Sequence, residues 1–98
     1  MNALATIPVS AEDAKQAARY NIRFEPLTPR AIRVIGPNGA AEIRRGAGDG
    51  NLRLFEGKTC HGVMSVNYIF AEAFDLVSHK FSQDRFHAQM AVAEEGEI

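Results

Sequence analysis

Hydrophobic and polar positions along this 98-residue chain change their period twice. From Tyr20 to Glu25, and in short runs from Arg30 to Phe55, they alternate. From Val66 to Phe81 they recur at spacings of three and four. Period two places alternate side chains on opposite faces of a strand, and a spacing of three and four lines one face of a helix. Ahead of both, Met1 to Val9 has no period and is interrupted by Pro8, which reads as a loose arm or an edge strand.

The first helix is predicted to start at Ser10-Ala11-Glu12-Asp13. Ser10 can accept from free amides of the first turn, and Glu12 and Asp13 suit the positive end of the helix dipole. It runs to Arg19 or Tyr20 with a light apolar face of Ala14, Ala17 and Ala18. A strand over Tyr20–Glu25 ends at Pro26, and Pro26 and Pro29 mark a loop. Arg30–Ile35 is the next strand. Gly36-Pro37-Asn38-Gly39 is a turn, because Pro presets one dihedral and Asn-Gly tolerates positive φ. Ala40–Arg45 returns, Gly46–Asn51 is a flexible loop, and Leu52–Phe55 is the last predicted strand.

Val66, Ile69, Phe70, Ala73, Phe74, Val77 and Phe81 form the apolar face of a long helix, capped by Ser65 or Thr59, with His79 in its last turn. Ser82 then starts a second helix with Gln83 and Asp84 in its first turn, and Phe86 and Met90 continue an apolar face. Negative charge in residues 94–98 sits where the helix dipole disfavours it, so this tail is expected to fray. The fold class predicted is α+β: one domain over residues 1–98, a small antiparallel sheet of three to four strands with one face packed by C-terminal helices, and a short N-terminal helix.

The alternation also assigns faces. With Ile22, Phe24, Ile32, Val34, Ile43, Leu52 and Leu54 turned inward, the neighbouring side chains must turn outward. The outward set contains Arg23, Arg33, Arg44 and Arg53, one from each predicted strand, with Glu25 and Glu42 on the same face. These four arginines are the candidate partner-binding residues. Arginine makes planar, bidentate contacts to carboxylate and phosphate and stacks on rings. A half-buried sheet also needs polar residues on its wet face, which is the plainer account of the same four positions.

Charge changes this picture in one respect. The formal net charge is −1, with 11 basic and 12 acidic residues, and a dedicated non-specific nucleic-acid binder carries a strong positive excess. Between Arg19 and Lys58, however, there are eight bases against four acids, and seven of the eight are arginine. From Thr59 onward there are two bases and six acids. The chain has a basic middle and an acidic end.

Candidate chemistry adds little. Cys60-His61, with Asp75 or His79 as a third member, has the residue types of a nucleophilic site, but adjacent residues rarely aim at one point. Cys60, His61, His79 and His87 match no common zinc spacing. The glycines from Gly46 to Gly50 fit neither the P-loop nor the dinucleotide fingerprint. Glu72 and Asp75 share one side of a helix and read as a solvated face. No catalytic residue, cofactor or metal is therefore expected. Cys60 is the single cysteine, and no secretory signal or membrane-length apolar run is visible, so a reducing, cytoplasmic setting is expected and no membrane.

The function expected from these features is that of a non-enzymatic interaction protein. It would bind, and modulate or inhibit, a larger protein or protein–RNA assembly. Inhibitors of host systems carried by phages and mobile elements, anti-CRISPR proteins among them, are typical of small chains of this kind, although no residue motif here assigns the chain to such a family. The alternative is a small nucleic-acid-binding or regulatory protein that uses the arginine face, with Tyr20 or Phe55 available for stacking. An exposed sheet edge also leaves room for a homodimer.

Overall fold

The computed structural model describes residues 7–96, with side chains to residue 91. The chain is α+β: α1 (Ala11–Arg19), five strands β1 (Arg23–Thr28), β2 (Ala31–Gly36), β3 (Gly39–Arg45), β4 (Leu52–Glu56) and β5 (Thr59–Met64), then α2 (Val66–Val77) and α3 (His79–Gly96). The strands form one antiparallel meander in chain order. Of the predicted N-terminal arm, residues 1–6 lie outside the described residues, while Ile7 and Val9 pack against the core.

The first helix begins as its composition directs, with the Ser10 hydroxyl accepting from the Asp13 N–H at 3.0 Å. Its end differs from the expectation. Asn21 takes φ of 60°. The Ile22 N–H then donates to Ala17 O at 2.8 Å, and the Asn21 N–H to Ala18 O at 3.3 Å. This is the Schellman arrangement, in which a left-handed residue turns the chain and a following apolar side chain closes on the helix. Ile22 and Ala17 are accordingly both buried. The first strand therefore starts three residues later than its alternation suggests, and Pro26 lies inside it, on an edge where a missing N–H is tolerated.

The central hairpin forms at the predicted turn, with Gly36 paired to Gly39. The fifth strand was not anticipated. Glu56 pairs with Thr59 across Gly57-Lys58, and Gly57 takes φ of 61°, so a two-residue turn sends Thr59–Met64 back along β4. Gly62 and the Cys60–His61 pair weaken the strand signal there, next to the much stronger helical period that begins at Val66. Thr59 consequently pairs in the sheet, and Ser65 is the N-cap of α2.

The core lies between one sheet face and the helices. Ile32, Val34, Ala41, Ile43, Leu52 and Leu54 meet Ile69, Phe70, Ala73, Phe74 and Val77 of α2, which crosses β2, β3 and β4. Phe24, Phe70, Phe74, Phe81 and Tyr20 form a chain of ring contacts with centroids 5.2 to 6.4 Å apart. Val66 opens α2 but is 40% exposed, and Phe81 belongs to the next helix.

The predicted long helix breaks at Ser78. That residue is extended and buried, and its hydroxyl accepts from the Phe81 N–H at 3.1 Å. The central hairpin reinforces the break. The Asn38 N–H donates to Val77 O at 2.9 Å, and Asn38 Oδ1 accepts from the His79 N–H at 2.9 Å. His79 thus opens α3 instead of closing α2, and Ser82 lies within α3, not at its start. The acidic residues Glu94 and Glu95 are in the last turn of α3, and residues 97–98 lie outside the described residues.

Candidate interaction face

Register fixes which side chains share the uncovered face. Arg33 lies opposite Glu25 on β1 and Glu42 on β3, Glu42 opposite Phe55, Arg44 opposite Arg53, and Arg53 opposite Val63. Arg23 lies opposite Ile35. Directly opposed residues project to one side, so Arg23, Arg33, Arg44 and Arg53 do share a face with Glu25 and Glu42. The helices pack on the opposite face.

The arginines are not bare. Arg33 Nη1 lies 3.1 Å from Glu25 Oε1, and its Nη2 lies 3.5 Å from Glu42 Oε2. Arg44 Nε donates to Glu42 Oε1 at 2.9 Å. The Arg44 guanidinium also lies 4.8 Å from the centroid of the Phe55 ring. Glu25, Arg33, Glu42, Arg44 and Phe55 therefore form a continuous line of contacts across four strands. Arg53, which faces Arg44 as a like charge, turns instead to Asp49 with Nη2–Oδ2 and Nη1–Oδ1 separations of 2.8 and 3.3 Å.

These pairings shift the carboxyls as ion pairing requires. The hydrogen bond from Arg44, aided by the charges of Arg44 and Arg33, holds Glu42 below the ordinary glutamate value. The hydrogen bonds from Arg53 and from the Asn51 backbone hold Asp49 well below the ordinary aspartate value. Four arginines are thus set against three carboxylates, Glu25, Glu42 and Asp49. Arg23 is the one arginine of the four without an ion pair among the described residues.

Between these charges the face carries apolar side chains that the sheet interior does not use. Phe55 and Ile35 are half-buried, and Val63 is 54% exposed beside Arg53. Val63 belongs to β5, whose strand signal is weak, so spacing alone does not place it on this face. Asp49 falls in the segment expected to be a flexible loop. Asp49 lies in a closed turn instead, with the Gly46 N–H donating to Asn51 O at 2.8 Å and the Asn51 N–H to Asp49 Oδ1 at 3.0 Å. The i, i+4 spacing of Asp49 and Arg53 was the available signal.

The other candidates disperse. Cys60 is exposed on β5, and His61 Nε2 faces Glu56 Oε1 at 3.4 Å. Among the described residues no three of His, Cys, Asp and Glu converge as a metal would need. Glu72 and Asp75 are not a simple solvated face: both bind Arg85, Glu72 Oε2 at 3.0 Å, and so fasten α3 to α2. A notch of about 530 Å³ lies among Arg19, Tyr20, Asn38, Lys80 and Asp84. Its polar groups are engaged within the protein, Tyr20 donating to Asp84 Oδ2 at 2.7 Å and Asn38 capping His79. No helix among the described residues is long and apolar enough to cross a membrane.

Comparison with known proteins yields no match to a family model, a curated protein or a solved structure.

Proposed function

We propose that this chain is a non-enzymatic interaction module that grips a protein, alone or within a protein–RNA assembly, with the outer face of its sheet. The observation that supports this most is the line Glu25–Arg33–Glu42–Arg44–Phe55 on a face that no described element covers. Carboxylates hold the guanidinium groups in place, which lowers the entropy lost when a partner orders them. Arginine and aromatic side chains are also the residue types enriched at interface hot spots.

The near-balance of charge favours a protein partner over phosphate. A nucleic-acid surface gains affinity by neutralising phosphates with unpaired cations. Here Glu25, Glu42 and Asp49 already occupy Arg33, Arg44 and Arg53. A protein surface with its own acids, bases and apolar side chains can exchange with this mixed lattice. Occupying a surface on a larger assembly is also how such a module would inhibit it.

The test is the double substitution Arg33→Ala with Arg44→Ala. Both side chains are on the wet face, so the fold is retained while affinity for the partner falls by about tenfold or more, the scale of two interface arginines. The loss should persist at raised salt. Unchanged affinity, or binding only to nucleic acid with a steep salt dependence, would sink the proposal.

A further inference from the structure

The first two turns of α3 are anchored to the body by Phe81, by Asp84 through Tyr20, and by Arg85 through Glu72 and Asp75. Beyond Arg85 the helix leaves the body. Phe86, His87, Ala88, Gln89, Met90 and Ala91 are all exposed, so nothing among the described residues buries this stretch, although Ala88 and Gln89 still border α1 and α2. Phe86 is 58% and Met90 45% exposed. Residues 86–96 extend the helix by about 16 Å at 1.5 Å per residue, consistent with a molecule 51 Å long and only 28 by 27 Å across.

Two features are unfavourable for such a helix alone. Isolated helical segments shorter than about 12–15 residues are marginal in water, and this one leaves two large apolar side chains wet. Its charges also run against the dipole. Lys80 is in the first turn, while Glu94 and Glu95 are in the last, and α3 has no acid in its first turn and no base in its last. Carboxylates at a helix C-terminus and cations at its N-terminus are each disfavoured.

We infer that the projecting part of α3 is a contact between two copies of this chain, packed antiparallel about Phe86–Met90. Positions 79, 83, 86, 90 and 94 fall at helical spacing on one stripe. Antiparallel pairing centred between residues 86 and 87 sets Phe86 beside the second copy's His87 and Met90 level with its Gln83. It also brings Glu94 level with the second copy's His79, next to Lys80. Each acidic last turn then lies at the positive end of the other helix, and the two dipoles oppose. The chain is thus complementary to itself, because Lys80 and the Glu94–Glu95 pair occupy opposite ends of one helix, while Arg85 is taken up by Glu72 and Asp75 and Lys80 lies 3.4 Å from the half-exposed Asp84 of its own copy. A basic helix from another protein would satisfy the glutamate end and repel the Lys80 end.

One helix pair is small beside the roughly 1,200 Å² total at which stable interfaces begin, so the dimer is weak, with a dissociation constant on the order of 10 μM. Sedimentation of the full chain from about 1 to about 200 μM brackets that value. The mass should rise from the 10.7 kDa monomer towards twice that, with helical circular dichroism rising in parallel. Phe86→Asp with Met90→Asp should remain monomeric throughout. Glu94→Lys with Glu95→Lys should weaken association by about tenfold or more, and adding Lys80→Glu should recover most of the loss. A monomer across the whole range overturns the inference. So does a dimer indifferent to the Phe86/Met90 substitutions, or one that charge reversal neither weakens nor restores. The charge-reversal series decides the matter alone if the aspartate variant fails to fold.

Discussion

Glu42 serves two strands at once, accepting from Arg44 on β3 and pairing with Arg33 on β2. Its folded-state pKa lies below the ordinary 4.5. The stability this contributes is present above the unfolded value and is lost as pH falls through the lower folded one. Glu42→Gln should therefore lower Tm near neutral pH. The gap to wild type should close as pH drops below about 4.5, which thermal melts across that range will show. A gap independent of pH would mean that the carboxylate's charge contributes nothing. Residue identity at this scale was legible where a simple alternation ruled, since Arg23, Arg33, Arg44 and Arg53 emerge on the face their spacing assigns. The carboxylate partners were harder to read. Glu25 and Glu42 were visible as neighbours on that face, but Asp49 reaches Arg53 from a turn whose closure depends on its own hydrogen bonds.

At the level of elements, the junction of hairpin and helices depends on close approach. A Cβ built on Gly36 would strike the Val77 carbonyl oxygen and lie 2.7 Å from Val77 Cγ2. The obstacle is backbone that also accepts from the Asn38 N–H, so it cannot swing aside. Gly36→Ala should cost about 1–3 kcal/mol, seen as a lower midpoint in urea with an unchanged slope. Ser78→Ala removes the cap on Phe81 and should cost about 1 kcal/mol, or roughly 4–8 °C in Tm for a domain of this size. A neutral Ser78→Ala would show that Asn38 alone sets the break between α2 and α3. This break illustrates what the pattern could not show. The apolar stripe runs unbroken from Val66 to Phe81, and Ser78 interrupts the helix without interrupting the stripe, with help from Asn38 some forty positions away. The late start of β1 has a similar cause. Asn21 in the left-handed region ends α1, and Ile22 is buried because it closes that motif, not because it lies in the strand.

For the molecule as a whole, the α+β class and the packing of one sheet face by the helix at Val66–Val77 were legible from two periods alone, whereas α3, expected on the same face, packs chiefly on α2. The strand count was not, because β5 carries a glycine with φ of 107° and a register shift opposite Leu54 and Phe55. Irregularity of this kind interrupts an exposed sheet edge and discourages pairing through it. β1, the other edge, has its own register shift beside Pro26. Self-association through a sheet edge is thereby disfavoured at both sides, whereas the proposed pairing through α3 would leave the outer sheet face of each copy free. A dimer so built would present two copies of the arginine face to an assembly with repeated sites, gaining avidity where its geometry lets both engage. The most direct measurement of the central claim is the affinity of a purified partner, first recovered with the wild-type chain from its own cells, for wild type and for the Arg33→Ala, Arg44→Ala double variant at low and raised salt. The account predicts an affinity loss of about tenfold or more at both salt levels, with native circular dichroism and only the small Tm loss that unpairing Glu42 brings. Equal affinity in the two proteins would contradict it.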